Sequence, residues 1–355
     1  MTEPGGGLIL AGDIGGTKTY IGLFRRRGAE LDTLRQAKVS NADYGGVGEI
    51  ISAFLKEGES ARVEGACFGI ACPVVGGRCT LTNLNWVVDG EAIKRGFAFR
   101  RFGLINDLAA MAWGVDLIPE ESLHTLSGGV EATGNRALLA AGTGLGQAHL
   151  FWDGARHLPA ASEGGHGDFA PRDDLEIELL RFLMKKFGHV SYERILSGPG
   201  LENVYEFVRS RSGHAVPERL EAGFASRGAA SVIAEEAIEG TDEDCRAALD
   251  IFISVYGAEA GNMALRGLAM GGLYVGGGIA PRIIKALDGE EGEGGRFISS
   301  FLDKGRFREF LRKVPVRVIM KDNAALLGAA SAAVHLCSGG SMVAERVIGG
   351  GGAGD

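Results

Sequence analysis

Gly12-Asp13-Ile14-Gly15-Gly16-Thr17-Lys18 sets a carboxylate, a hydroxyl and an ammonium around a glycine pair. Successive backbone N–H groups in a glycine turn form a concavity that holds anions. Thr17 adds a hydroxyl to it and Lys18 a cation. A glycine pair also makes a tight hairpin turn with no ligand at all. The stretch is nearly a P-loop, but Thr17 stands where the last glycine belongs, and the chain runs on into a strand rather than a helix. Phosphate binding is therefore kept and the P-loop is not. Asp13 ends a strand beside the turn, where it can hold Mg²⁺ directly or through water. Its plainer role is to cap the turn.

Four further constellations carry chemistry. Gly142-Thr143-Gly144-Leu145-Gly146 fails the dinucleotide pattern because Gln147 fills its last position. Paired with the first turn, it makes a second hairpin able to clamp a nucleotide's phosphates. Gly276-Gly277-Gly278-Ile279-Ala280-Pro281 ends a strand before a helix, where α/β sheets bind ligands. Adenosine packed on the bare backbone of Gly277 and Gly278 explains the run, and a tight strand-to-helix turn explains it equally. Asn106-Asp107 caps a helix on the plain reading. It also puts a carboxylate where phosphoryl transfer to a hydroxyl needs one. Ser162-Glu163-Gly164-Gly165-His166, with Glu193 further on, supplies carboxylates and an imidazole of the kind that bond adjacent sugar hydroxyls. A solvated loop is the alternative. Glu163-x-x-His166 and Glu121-x-x-His124 match di-iron spacing, but that motif needs facing helices, which Gly164-Gly165 opposes.

These residues need elements to hold them. The apolar run 8–14 is a buried strand, and 20–24 pairs with it as a hairpin. Apolar residues at helical spacing place a helix over 47–55. Strands follow at 63–71 and 103–105, then a helix over 108–115 opened by Asn106-Asp107. Strand, glycine turn and strand recur over 137–152, which suggests duplicated α/β units. Helices are expected over 175–186, 201–211 and 245 to about 270. A strand at 273–275 leads to a helix from Pro281. A strand at 316–320 precedes a small-residue helix over 323–336, which returns to the first domain. The division expected is a small α/β domain of 1–117 plus 323–355, with the first turn and Asn-Asp. A large α/β domain of 118–322 holds the second turn, the sugar loop and the adenosine turn. An acidic loop over 288–295 and a glycine tail over 339–355 stand apart.

Composition narrows the partners. A chain of 355 residues suits two domains. With 37 basic against 45 acidic residues the net charge is -8, and no basic run or face offers a nucleic-acid footprint. The five cysteines, Cys67, Cys72, Cys79, Cys245 and Cys337, are scattered and form no C-x-x-C. They fit a reducing compartment rather than a disulfide framework or a structural zinc. No signal-peptide pattern and no bilayer-length apolar run occurs, so no membrane is expected and the cytoplasm is the expected location.

Eight stretches, in order, are similar to the bacterial glucokinase family of enterobacterial type. They are GDIGGT at 12–17, FGIACPV at 68–74, LTNLNW at 81–86, INDLAA at 105–110, GTGLG at 142–146, SEGGHGDFAP at 162–171, ERILSGPGLENVY at 193–205 and GGGIAPRI at 276–283. The resemblance spans 8–336. It implies an actin-like ATPase (ribonuclease H-like) α/β fold of two domains with a central cleft. It implies ATP-dependent phosphorylation of glucose at the 6-hydroxyl, with Mg²⁺. Gly12, Asp13, Ile14, Gly15, Gly16 and Thr17 would bind ATP phosphate together with Gly142, Thr143 and Gly144. Asp107 would be the catalytic base, and Asn106, Asp107, Glu163, His166 and Glu193 would contact sugar hydroxyls. A homodimer is the family-level expectation. A related family of repressors and sugar kinases carries a zinc-binding cysteine cluster beside its histidine, which this chain lacks. Tyr20 stands where family members often have Arg, and Gly167 where a bulkier residue is common. Mannose, fructose and N-acetylglucosamine suit the same mechanism. A non-catalytic sugar sensor would need a DNA-binding segment or basic face. A sugar-independent ATPase would have no need of the hydroxyl-reading set.

Overall fold

Leu8, Leu10 and Ile14 alternate with Ile9 and Ala11, and all five are buried. A strand apolar on both faces is one covered on both faces. In the computed structural model, which describes residues 7–27, 30–81, 83–289, 295–320 and 323–340, this strand is β1 (Leu8–Ile14). Around it stand β2 (Lys18–Arg27), β3 (Glu30–Ser40), α1 (Val47–Phe54), β4 (Val63–Ile70), β5 (Arg78–Leu81), β6 (Trp86–Asp89), α2 (Gly90–Gly96), β7 (Arg101–Asn106) and α3 (Asp107–Gly114). The main sheet has the order β3-β2-β1-β4-β7, and β5 with β6 forms a separate hairpin. β1, β4 and β7 are parallel neighbours, whereas β2 and β3 are antiparallel. Leu8, Leu10 and Ile14 join Ile50 and Ile51 of α1 in one core layer. Ile9 and Ala11 join Ala109 and Ala110 of α3 in another.

The second sheet comprises β8 (Leu123–Ser127), β9 (Arg136–Ala141), β10 (Leu145–Trp152), β11 (His157–Ser162), β12 (Leu273–Gly276) and β13 (Val316–Ile319), in the order β11-β10-β9-β12-β13-β8. Its helices are α4 (Asp174–Phe187), α5 (Gly198–Ser212), α6 (Glu218–Arg227), α7 (Ala229–Glu239), α8 (Glu243–Gly267), α9 (Ile284–Asp288), α10 (Gly295–Leu302) and α11 (Arg308–Leu311). Asp173, Ser197 and Asp242 cap α4, α5 and α8 by accepting from backbone N–H groups. Leu139, Ala141 and Val275 of the sheet share a core with Phe252 and Tyr256 of α8.

The final helix, α12 (Ala324–Cys337), packs its alanines into the layer of Ile9 and Ala110. Two glycines let it approach α3 closely. A methyl on Gly114 would overlap the Ala324 carbonyl, and one on Gly328 the Ala110 carbonyl. The chain forms two compact units. One lies within Met1–Ile118, Leu158–Ala161 and Asn323–Asp355, the other within Pro119–His157 and Ser162–Asp322.

The structure departs from expectation in three places. The polar edge strand β3, the β5–β6 hairpin, strands β8 and β11 and helices α2, α6, α7, α10 and α11 were not expected from the pattern. The helix predicted from Pro281 begins at Ile284, because 279–283 is taken up by turns such as Arg282 N–H to Ile279 O. Cys72 and Cys79 are bridged, which corrects the expectation of five thiols. Gly76 and Gly77, at φ 57° and 72°, turn the chain between them. Residues 290–294 of the acidic loop, 341–355 of the glycine tail and Thr82 of LTNLNW lie outside the described residues.

Candidate active site

In the first unit, three parallel strands deliver their ends to one edge. Ile14 is level with Ile70 of β4, and Ile70 with Asn106 of β7. The first glycine turn and Asn106-Asp107 are therefore two strands apart, roughly 10 Å at ordinary strand spacing. The turn is a hairpin closed by Gly15 N–H to Lys18 O at 3.0 Å. Neither Gly15 nor Gly16 lies in the left-handed region, so the glycines are not demanded by backbone sign. Gly16 is instead needed by close approach, since its Cβ would stand 2.6 Å from Asn83 Nδ2. Asn41, almost fully buried, braces the turn from below. Its Nδ2 donates to Gly15 O at 2.8 Å and its Oδ1 accepts from Thr19 Oγ1 at 2.7 Å. Thr17 and Lys18 are exposed, Asp13 half-buried, and Ile14 fully buried, so Ile14 offers only backbone. Gly12 is buried too, and its missing side chain makes room for the Phe68 ring.

Asn106 caps α3 through Oδ1, which accepts from Ala109 N at 2.7 Å. That leaves its amide N–H₂ as the group it offers a hydroxyl. Asp107 is the first residue of the helix and half-buried, and its Oδ1 accepts from Leu108 N at 2.8 Å. A carboxylate accepts at both oxygens, so this bond fixes its orientation without removing its capacity as a base.

The second unit gathers the other two turns and the sugar loop. Gly142 N–H donates to Gly144 O at 2.9 Å, and Gly198 at the start of α5 donates to Gly142 O at 2.8 Å. β12 is the parallel neighbour of β9, with Gly276 level with Ala140. The second and third glycine turns are therefore side by side. Gly277 has φ +83°, and a methyl there would overlap Ala141 O. Gly278 has no heavy atom near its Cβ position, so its face is open backbone.

Gly164–His166 is one 3₁₀ turn lying flat on β10. A methyl on Gly164 would strike Gln147 Oε1, and one on Gly165 would strike Leu145 O. The glycine pair in Ser-Glu-Gly-Gly-His is thus set by contact with the strand beneath. Glu193 reaches the same place from the turn Tyr192–Arg194. Its Oε2 accepts from Leu145 N at 2.9 Å. Its Oε1 is 3.8 Å from His166 Nδ1, and His166 Nε2 is 3.8 Å from Glu163 Oε2. The three side chains form a row of acceptor, imidazole and acceptor, 28%, 60% and 76% exposed from Glu193 through His166 to Glu163. Such a row suits adjacent hydroxyls, which both donate and accept. The Tyr192 hydroxyl is pushed up to about 12, first by burial and then by the charge of Glu259, so it stays a neutral phenol at physiological pH.

The di-iron spacing finds no support. Residues 163–166 are a turn rather than a bundle helix, and His124 Nε2 is bonded to Asp288 Oδ1 at 2.7 Å. Asn41, Asn83, Gln147 and Glu259 were missed in the sequence. Asn83 alone carried a signal, within LTNLNW.

Comparison with known proteins identifies the family. A family model described as Glucokinase matches residues 10–336. A glucokinase of Synechocystis is 39% identical over 356 residues, covering 92% of this chain and 98% of that protein. A glucokinase of Salmonella paratyphi B is 36% identical over 321 residues, covering 90% and 94%. The crystal structure of a glucokinase from an Antarctic psychrotroph superposes with a TM-score of 0.80 at 31% identity, covering 92% and 99%.

Proposed function

The chain belongs to the glucokinase family, and on that premise we propose how its residues divide the reaction among themselves. The enzyme transfers the γ-phosphoryl group of ATP to the 6-hydroxyl of glucose, giving glucose 6-phosphate and ADP. What carries this reading is the row of Glu163, His166 and Glu193 beside the second glycine turn. A nucleotide-binding ATPase with no sugar acceptor has no use for it.

Glu163, His166 and Glu193 hydrogen-bond the sugar hydroxyls, and Asn106 and Asp107 are assigned sugar contacts by the family resemblance. Asp107 accepts the 6-hydroxyl proton as that oxygen attacks. The turns 12–17 and 142–144 hold the phosphates through backbone N–H groups other than those of Gly15 and Gly142, which close the turns, and Gly277 with Gly278 presents bare backbone to the adenosine. Asp13 fits Mg²⁺ by the chemistry of its donor. It is a half-buried carboxylate beside a phosphate-type turn, and Mg²⁺ takes one or two carboxylates plus phosphate oxygens. When bound, the ion neutralises charge developing on the β- and γ-phosphates. The transition state is loose, so the protein contributes chiefly position and charge stabilisation.

Among the described residues no helix is long and apolar enough to cross a membrane. We assign the enzyme to the cytoplasm and to a homodimer on family grounds.

The test is ADP release with Mg-ATP and glucose, mannose, fructose, N-acetylglucosamine or no sugar. Turnover with glucose far above the rest supports the reading. Sugar-independent release moves a plain ATPase to the front, and silence with every sugar moves a sensor there.

A further inference from the structure

Glu259 is fully buried in the C-terminal half of α8 and is a carboxylate the phosphoryl transfer itself does not use. Burying a charge is costly unless it is paired and hydrogen-bonded. Here three donors converge on it. Gln147 Nε2 and Arg266 Nη1 donate to Oε1 at 3.0 and 2.9 Å, and Asn262 Nδ2 donates to Oε2 at 2.9 Å. Replacing such a cluster by packed apolar groups is often neutral or stabilising, so stability alone is a poor reason for the charge.

Two arms lead from this carboxylate to the sugar residues. The first runs through Gln147 of β10, itself almost fully buried. An amide can face either way, but a carboxylate only accepts. Glu259 therefore draws Nε2 towards α8 and leaves Oε1 against Gly164, under the Glu163–His166 turn. The second arm runs through Asn262, whose Nδ2 also lies 3.2 Å from the Tyr192 hydroxyl. Tyr192 is buried and adjoins Glu193. The turn that carries Tyr192 is tied back to the sugar loop by Tyr192 N–H to Gly167 O at 3.1 Å.

We propose that Glu259 is a positioning residue for sugar recognition, holding the spacing between the Glu163–His166 turn and Glu193 through Gln147 on one side and Asn262–Tyr192 on the other. This rests on reading that row as the glucose site. The sugar hydroxyls are read by geometry, so an error at this brace shows as lost glucose affinity and lost epimer discrimination rather than lost nucleotide affinity.

The experiment takes the full chain as wild type, Glu259→Gln, Gln147→Leu, Asn262→Ala and the swapped pair Gln147→Glu with Glu259→Gln. It measures the melting temperature, glucose binding by calorimetry without ATP, KM for glucose and for ATP, and the glucose-to-mannose ratio of kcat/KM. In Glu259→Gln, KM and Kd for glucose are expected to rise about tenfold, with KM for ATP within about twofold. Gln147→Leu and Asn262→Ala each break one arm and give part of that rise, so they carry the test if Glu259→Gln does not fold. The swapped pair, which restores the amide–carboxylate bond with roles reversed, recovers glucose affinity. Folded variants with unchanged KM for glucose overturn the proposal, as do variants that raise both KM values alike or lose only thermal stability. Wild type that neither binds nor phosphorylates glucose overturns the sugar-site reading itself, and this proposal with it.

Discussion

At the scale of single residues, two positions test opposite halves of the proposed chemistry. Asp107 is held by Leu108 N–H at the first position of α3. Replacing it with Ala keeps the Asn106 cap and removes the proton acceptor. kcat is expected to fall by about 10²–10⁴, the range for a lost general base, with KM for glucose less affected. Steady-state kinetics at saturating substrates reads this directly, and an unchanged kcat rejects the assignment. Gly277 combines a left-handed φ of +83° with backbone contact at Ala141. Gly277→Ala is expected to cost about 1–3 kcal/mol of stability. It should also raise KM for ATP more than KM for glucose, because the displaced backbone is the one proposed to face the nucleotide. Thermal melting and the two KM values check this, and equal shifts in both KM values contradict it.

At the scale of elements, the placing of the proposed base depends on how closely two helices approach. α3 carries Asp107 at one end, and Gly328 of α12 lies against the Ala110 carbonyl. Gly328→Val must push α3 away, so both melting temperature and kcat are expected to fall while KM for ATP holds. A variant that melts lower with wild-type kcat would show that α3 tolerates the shift. The edge strand β3 has its own anchor. Arg35 makes a two-pronged bond to Glu59, at 2.9 and 2.5 Å, and donates to Phe54 O at the end of α1. The bond to Arg35 holds the Glu59 carboxyl down at about 2 against an ordinary 4.5. A folded value below the unfolded one means the stabilisation is complete above about pH 4.5 and is lost as pH falls towards 2. Glu59→Gln should therefore melt below wild type at pH 7, and the gap should close between pH 4.5 and pH 2. A gap independent of pH in that window would exclude the ion pair as its source.

At the scale of the whole molecule, each compact unit has cores of its own. Unfolding is expected to depart from a single two-state transition, as multi-unit chains commonly do. Calorimetry should give a measured enthalpy above the van't Hoff value, and a ratio of one would contradict this. The proposed base and first turn are in one unit, and the second and third turns with the sugar row are in the other. The fold class and the overall reaction were readable along the chain because their signals are local. The 8–14 run, the glycine turns and the Asn-Asp cap each announce themselves within a few residues. β3 was not readable, because a polar edge strand with mostly exposed side chains has no apolar period to detect.

Sequence by itself determined which residue types stand at the ends of the strands, in what order, and therefore which chemistry they offer. Backbone conformation and capping are short-range, so the Asn106 cap and the three glycine turns were legible locally. Tertiary structure decided what braces them. Asn41 reaches Gly15 across 26 positions, Glu193 reaches Leu145 across 48, and Gln147 reaches Glu259 across 112. The packing of α12 onto α3 was likewise set by where the strands bring the chain. Such pairings depend on sheet order and helix packing, in which residues far apart in sequence become neighbours, and no local pattern records them.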